Sequence, residues 1–270
     1  AVSPESRRAM AMTVARALRV LRIPSPMRLS QWAEKHFYLS TESSYVEGRW
    51  VCWPFQRGIM DVLGHDEIHH VTVRKSARVG YTKMALALLA YTAEHKRRNA
   101  VIYQPTDDDR DEFVTTELDP MLRDVRAMRS VMPRFSRRSK DNTLRVKKFT
   151  TGLLHMRGGK AAKNFRRLTV DTVVYDEFSG FDRDIEKEGS PGKLGDKRLE
   201  GAVWPKSIAG STPKLKHNDN TEDREAEADV HLRWHIPCPH CGELHQITFG
   251  GKDKHHTAGL RNRAAGAARV

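Results

Sequence analysis

The sequence predicts a three-layer α/β fold, a mostly parallel sheet covered on both faces by helices, and three stretches carry that prediction. Val71-Thr72-Val73 runs into a loop of small and basic residues and then into the run Met84-Ala85-Leu86-Ala87-Leu88-Leu89-Ala90, which reads as helix. Ala100-Val101-Ile102-Tyr103 leads through Gln104-Pro105-Thr106 into an acidic helix start, Asp107-Asp108-Asp109. Leu168 to Tyr175 is largely apolar and β-branched and ends directly on Asp176-Glu177. Uninterrupted apolar strands of this kind belong in a sheet buried on both faces. At 270 residues the chain suits one large domain, or a domain with a small appendage.

Along the chain, residues 1 to about 23 alternate Arg with apolar residues, a basic amphipathic helix pattern that stops before Pro24 and Pro26. Such a helix docks a partner subunit or nucleic acid, or packs on its own domain. Residues 1–28 are thus set apart as an amino-terminal basic helix or partner-docking segment ahead of a main domain, 29–215. Leu29 to Glu34 reads as a short helix, Ser43 to Trp50 as a loop, and Pro54 to Gly64 as a helix closed by its glycine. The region from Arg123 to Lys148 is dense in arginine and lysine with few aromatics, which suits contact with a phosphate backbone. Leu153 to Arg157 reads as a strand, Asp182 to Gly201 as a polar Gly- and Lys-rich stretch, and Ser207 to Ser211 as a further strand. Residues 216–249 form an extension around Cys238-Pro239-His240-Cys241. From Gly250 the apolar periodicity ends, so 250–270 is expected to be a disordered tail.

A loop between a strand and a helix N-terminus presents backbone N–H groups and a positive dipole end to an anion. The segment Lys75-Ser76-Ala77-Arg78-Val79-Gly80-Tyr81-Thr82-Lys83 has that setting. Against the G-x-x-x-x-G-K-[ST] phosphate loop, Gly80 fits the second glycine and Thr82 the metal-binding hydroxyl. Tyr81 stands where the lysine belongs, and Lys75 where the first glycine belongs. A lysine stem rooted at the strand end still reaches back over the phosphates; Lys83, past the hydroxyl, is the other cation. A basic strand-to-helix turn of an unrelated α/β protein is the competing reading of this loop alone. Asp176 at a buried strand end suits a Mg²⁺ held with Thr82, and Glu177 suits a general base that polarises water. Ser211 and Thr212 suit sensing of the γ-phosphate, or an ordinary Ser-Thr-Pro turn. Gln56 and Tyr45 suit reading and stacking of an adenine base, or core and cap roles.

The formal net charge of +13 favours a polyanionic partner, nucleic acid above all. No apolar run approaches the roughly 20 residues of a membrane span, and three cysteines make no disulfide framework. A cytosolic protein is expected. Cys238 and Cys241 form one C-x-x-C pair of the zinc-gripping kind, with His235, His240 and His245 as candidates to complete it; a bare hairpin turn is the competing reading.

Taken together, Lys75 to Thr82, Asp176-Glu177 and Gly210-Ser211-Thr212 resemble the large terminase subunit of lambda-like tailed bacteriophages, over about Leu29 to Phe249. The front-shifted lysine is specific to that group. The resemblance implies a P-loop NTPase of the additional-strand, catalytic-glutamate class that hydrolyses ATP with Mg²⁺ to drive double-stranded DNA into a procapsid. It makes Lys75 and Thr82 the phosphate and Mg²⁺ contacts, Asp176 and Glu177 the acidic motif, and Ser211 with Thr212 the coupling motif. Tyr45, Gln56 and Lys83 become nucleotide contacts on the base side, and Arg78 a charge-stabilising arginine. The implied partners are DNA, the small terminase subunit and the portal protein of the procapsid, the implied assembly is a homo-oligomer, and the implied setting is the host bacterial cytoplasm. In that family a nuclease domain follows the ATPase domain. Here only the ATPase part is expected, without intrinsic endonuclease, because most acids after the coupling motif, from Asp219 to Asp229, crowd into one polar stretch. The alternative expectation is a catalytically silent fragment of the same fold that binds DNA or assembles.

Overall fold

The computed structural model describes residues 3–20, 25–132, 140–214 and 217–246. Its helices are α1 (Pro4–Val20), α2 (Leu29–His36), α3 (Pro54–Gly64), α4 (Tyr81–Tyr91), α5 (Asp107–Phe113), α6 (Asp119–Asp124), α7 (Met128–Val131), α8 (Pro191–Asp196) and α9 (Asn220–Ala226). The strands are β1 (Tyr38–Leu39), β2 (Gly48–Arg49), β3 (His70–Arg74), β4 (Ala100–Gln104), β5 (Val146–Phe149), β6 (Gly152–Gly158), β7 (Thr172–Asp176), β8 (Lys206–Ser211), β9 (His235–Pro237) and β10 (Leu244–Gln246). The chain divides into two compact units, Ala1–Glu222 and Asp223–Val270.

The first unit is built on a six-stranded sheet in the order β3-β8-β7-β4-β6-β5. All its pairings are parallel except that of β5 with β6. Strands β4, β7 and β8 are buried at every residue, the first two as their largely apolar sequences require. Alternation then sends neighbours to opposite layers. Ala100, Ile102, Val174 and Ile208 join a core with α2, α3 and α4, whereas Val101, Tyr103, Val173, Tyr175 and Ala209 join a second core with Phe165, Phe178, Phe181 and Leu199. Helix α4 is buried from Met84 to Tyr91 because it crosses the sheet under the other helices of its layer. The ladder aligns Arg74 with Ser211 and Asp176 with Gly210, so the carboxyl ends of β3, β8 and β7 form one edge. Ligands of open parallel sheets bind at such an edge.

Several local expectations change in three dimensions. Residues 43–50 are not wholly loop, since β2 pairs antiparallel with β1. Helix α5 is capped by Thr106, whose hydroxyl accepts from Asp109 N–H while the Asp109 carboxylate accepts from Thr106 N–H. The stretch 182–201 is not merely polar: it contains α8 and buries Ile185 and Leu199. Within the basic region, Lys147 is 1% exposed and donates to Asp119 and Asn142, and Arg123 pairs with Glu42 and Asp124. Their charges are met inside the protein, so neither is a free phosphate contact; Arg134, Arg137 and Arg138 lie outside the described residues. Asp219, expected among solvated acids, is 3% exposed and accepts from Ser179 Oγ and from the N–H groups of Lys214 and Thr221. Helix α1 exposes Met10, Met12, Val14 and Leu18.

The second unit contains the antiparallel hairpin of β9 and β10, with His245 opposite Ile236. The tail 250–270 lies outside the described residues. Among the described residues no helix is long and apolar enough to cross a membrane.

Candidate active site

The loop from Lys75 to Gly80 leaves β3 and enters α4 at the open edge of the sheet. Its entry is pinned where Lys75 N–H donates to Ser211 O at 3.0 Å. Its exit is pinned by Gly80, which takes a left-handed φ of 81° as the residue before α4. Between these pins Ser76, Ala77 and Arg78 are exposed, and Arg78 is itself left-handed at φ 61°.

Gln56 lies under the loop, 4% exposed. Its Nε2 donates to Val79 O at 2.9 Å and its Oε1 accepts from Trp53 N–H at 3.0 Å. Both ends of the amide are thus engaged by backbone, the core and cap arrangement. Tyr45 is 91% exposed; its hydroxyl accepts from Arg78 Nη1 at 2.9 Å, and the guanidinium stands 5.7 Å from the ring centre. The Arg78 hydrogen bond lowers the tyrosine pKa. Lys83 turns away from the loop and bridges Ser43 Oγ to Glu117. Thr82, half-buried, sits on the first turn of α4.

Tyr81, at the position of the usual lysine, points inward and is 2% exposed. Gly210 of β8 makes room for it: a Cβ there would stand 2.0 Å from Tyr81 Cζ. That position is filled by a ring, and Lys75 Nζ lies 5.6 Å from the Tyr81 ring centre.

The acidic motif closes the site. Lys75 Nζ donates to Glu177 Oε1 at 2.6 Å, and Ser211 Oγ donates to Glu177 Oε2 at 3.3 Å. Glu177 takes φ 49°, a left-handed conformation uncommon for a residue with a side chain, and this bend turns it back over the edge. Asp176 is 4% exposed and accepts from Gln104 Nε2 at 3.1 Å and from Glu177 N–H at 3.1 Å. Burial pushes its carboxyl up to about 6, and the Glu177 charge adds to that. A buried carboxylate held by neutral donors is a place where a divalent cation relieves the desolvation, so the chemistry of Asp176 fits a ligand of Mg²⁺.

Lys75, Asp176, Glu177 and Ser211 are therefore brought together. Thr212 is exposed just past Ser211, Lys83 is engaged elsewhere, and Gln56 holds the loop backbone at Val79. Gln104 joins the site without having been singled out. Its signal was a polar residue closing an otherwise apolar strand, which becomes meaningful only once β4 is known to lie beside β7.

A phosphate loop on one strand, an acid pair on another and a single strand, β8, between them define a P-loop NTPase of the additional-strand class. The model of the phage terminase large subunit gpA ATPase domain matches residues 44–267. The chain belongs to that family. It is 51% identical over 238 residues to a terminase large subunit of Enterobacteria phage P21, and 49% identical over 237 residues to that of Escherichia phage lambda. These alignments cover 88% and 87% of the chain but only 37% of each relative, so the chain spans little more than a third of their length. Among solved structures, the HK97 bacteriophage large terminase aligns with a TM-score of 0.58 at 11% identity, over 75% of this chain and 41% of that one, a likeness of fold.

Proposed function

We propose that residues 29–215 are the ATP-hydrolysing domain of a terminase motor that moves double-stranded DNA into a procapsid. Residues 1–28 then serve as a docking segment for the small terminase subunit, and 216–249 as an extension. The observation that carries the ATPase reading is the meeting of Lys75, Glu177 and Ser211 at the ends of three adjacent strands. Mg²⁺, when bound, supplies positive charge against the β- and γ-phosphates. Thr82 and Asp176 would hold it. The loop N–H groups and Lys75 hold the phosphates, and Lys75 gives up Glu177 in doing so. Glu177, freed on one oxygen and still touched by Ser211, takes the proton of the attacking water. Ser211, whose backbone also receives the Lys75 N–H, relays that exchange to the segment that follows β8.

Arg78, parked on Tyr45, is exposed and long enough to stabilise developing phosphate charge once released. Tyr45 then offers its free ring to a base. The basic surface, the exposed apolar side of α1 and the family relationship support DNA, the small subunit, a portal and other copies of the chain as partners in the host cytoplasm. The test is DNA-stimulated ATP hydrolysis by the purified chain and by Glu177→Gln. The substitution keeps ATP binding and lowers hydrolysis by roughly 10²–10⁴-fold. Equal rates in the two proteins refute Glu177 as the base, and no hydrolysis by either favours the silent, DNA-binding fragment.

A further inference from the structure

The β9–β10 hairpin has almost nothing to hold it by burial. Its strands are three residues each, Ile236 is only half-buried, and Leu244 is 66% exposed. A two-stranded hairpin of this size is marginal in water without a further restraint. Its turn is nevertheless well shaped. Gly242 adopts φ 75°, its N–H donates to Cys238 O at 2.9 Å, and Cys238 N–H donates to Glu243 O at 2.8 Å. This knuckle, with the return of β10, brings one ligand atom each of Cys238, Cys241 and His245 within 4.8 Å of one another. Both cysteines are free thiols.

We propose that Cys238, Cys241 and His245 bind one Zn²⁺ that clamps the two ends of the turn to β10. Two thiolates and an imidazole are a soft donor set, which selects Zn²⁺ over the oxygen-seeking Mg²⁺. Zn–S and Zn–N bonds of about 2.3 and 2.0 Å place tetrahedral donors roughly 3.5–3.8 Å apart, so a small inward movement of side chains completes the set. His245 is the choice among the three nearby histidines because it faces the cysteines from the opposite strand. His235 and His240 are not in the convergent group. The ion's role is structural, since ordering the hairpin and binding the metal are the same event. This inference shares no residue with the nucleotide site and stands or falls separately from it.

The test uses the full chain, reduced and purified without chelator. Metal analysis is expected to give one zinc per chain, and Co²⁺ in its place gives the thiolate-to-cobalt absorption of a sulfur-bound tetrahedral site. Cys238→Ser and Cys241→Ser abolish that absorption, and His245→Ala weakens Co²⁺ binding by roughly tenfold or more. His240→Ala leaves it unchanged. Amide exchange across residues 235–246 speeds up when metal is removed from the parent protein, a readout that does not depend on any variant folding. Absence of zinc and of cobalt absorption overturns the proposal. So does full Co²⁺ affinity in His245→Ala, or a Cys238–Cys241 disulfide that forms in preference to metal binding.

Discussion

Gly210→Ala places a methyl group where Tyr81 now lies. The added Cβ would stand 2.0 Å from Cζ and 2.4 Å from both Cε2 and the hydroxyl oxygen, about 1.4 Å short of ordinary contact. Tyr81 is 2% exposed and begins α4, so its ring has no open side to move into without shifting the end of the phosphate loop. Overpacking of this severity costs roughly 3 kcal/mol. For a protein of this size that corresponds to a fall in Tm of about 6–12 °C, measurable by thermal unfolding monitored by circular dichroism. ATP affinity should fall with it, because the displaced ring lies beside Lys75 and at the helix start. Tyr81→Ala is destabilising in its own right, by roughly 3–5 kcal/mol. In that background Gly210→Ala should cost nothing further, so the double mutant is more stable than additivity by about the cost of the clash. A Gly210→Ala protein with the parent's Tm, or strict additivity in the cycle, refutes the packing argument and with it the account of why lysine is missing from position 81.

Lys75→Ala should weaken ATP binding, read by fluorescent-nucleotide titration, whereas Lys83→Ala should chiefly lower stability by stranding Glu117; the reverse pattern shows the loop has been misaligned. Lys147→Met leaves Asp119 buried without its cation and should cost roughly 3–5 kcal/mol in urea unfolding. Adding Asp119→Leu should restore much of that loss, and no recovery contradicts the pairing. DNA affinity should fall by roughly a hundredfold or more between about 50 and 200 mM salt and vary little with sequence; a flat salt dependence in a binding titration sinks phosphate contact as its basis.

The parts of this molecule that could be read from sequence are those with short-range causes. β4 and β7 were visible as apolar runs, and Lys75, Asp176, Glu177 and Ser211 could be expected near one another because each ends or follows a strand of a parallel sheet. Strand order was not visible, because the pairing of β3 with β8 depends on residues far apart in the chain. The same limit hid the fates of several side chains. Lys147 reads as a surface cation until β5 is placed near Asp119, and Gln56 stays open between base reader and cap residue until the loop is found resting on its amide. Gln104 closes an apolar strand and Gly210 opens the Gly-Ser-Thr motif, but the contact each makes is set by a neighbour in the adjacent strand or the following helix layer.

The position of β3 has a consequence for synthesis. Among the described residues it is an edge strand that pairs with β8 alone, and His70 pairs with Ser207. At about 5–20 residues per second, the ribosome delivers that partner roughly 7–27 s after β3 itself. Throughout that interval β3 and the loop it feeds have no ladder to join, while β4, β6 and β7 already have theirs within reach. The edge that carries the candidate site is thus the last part of the sheet to be assembled, and the nascent chain carries an unsatisfied β-edge until β8 emerges.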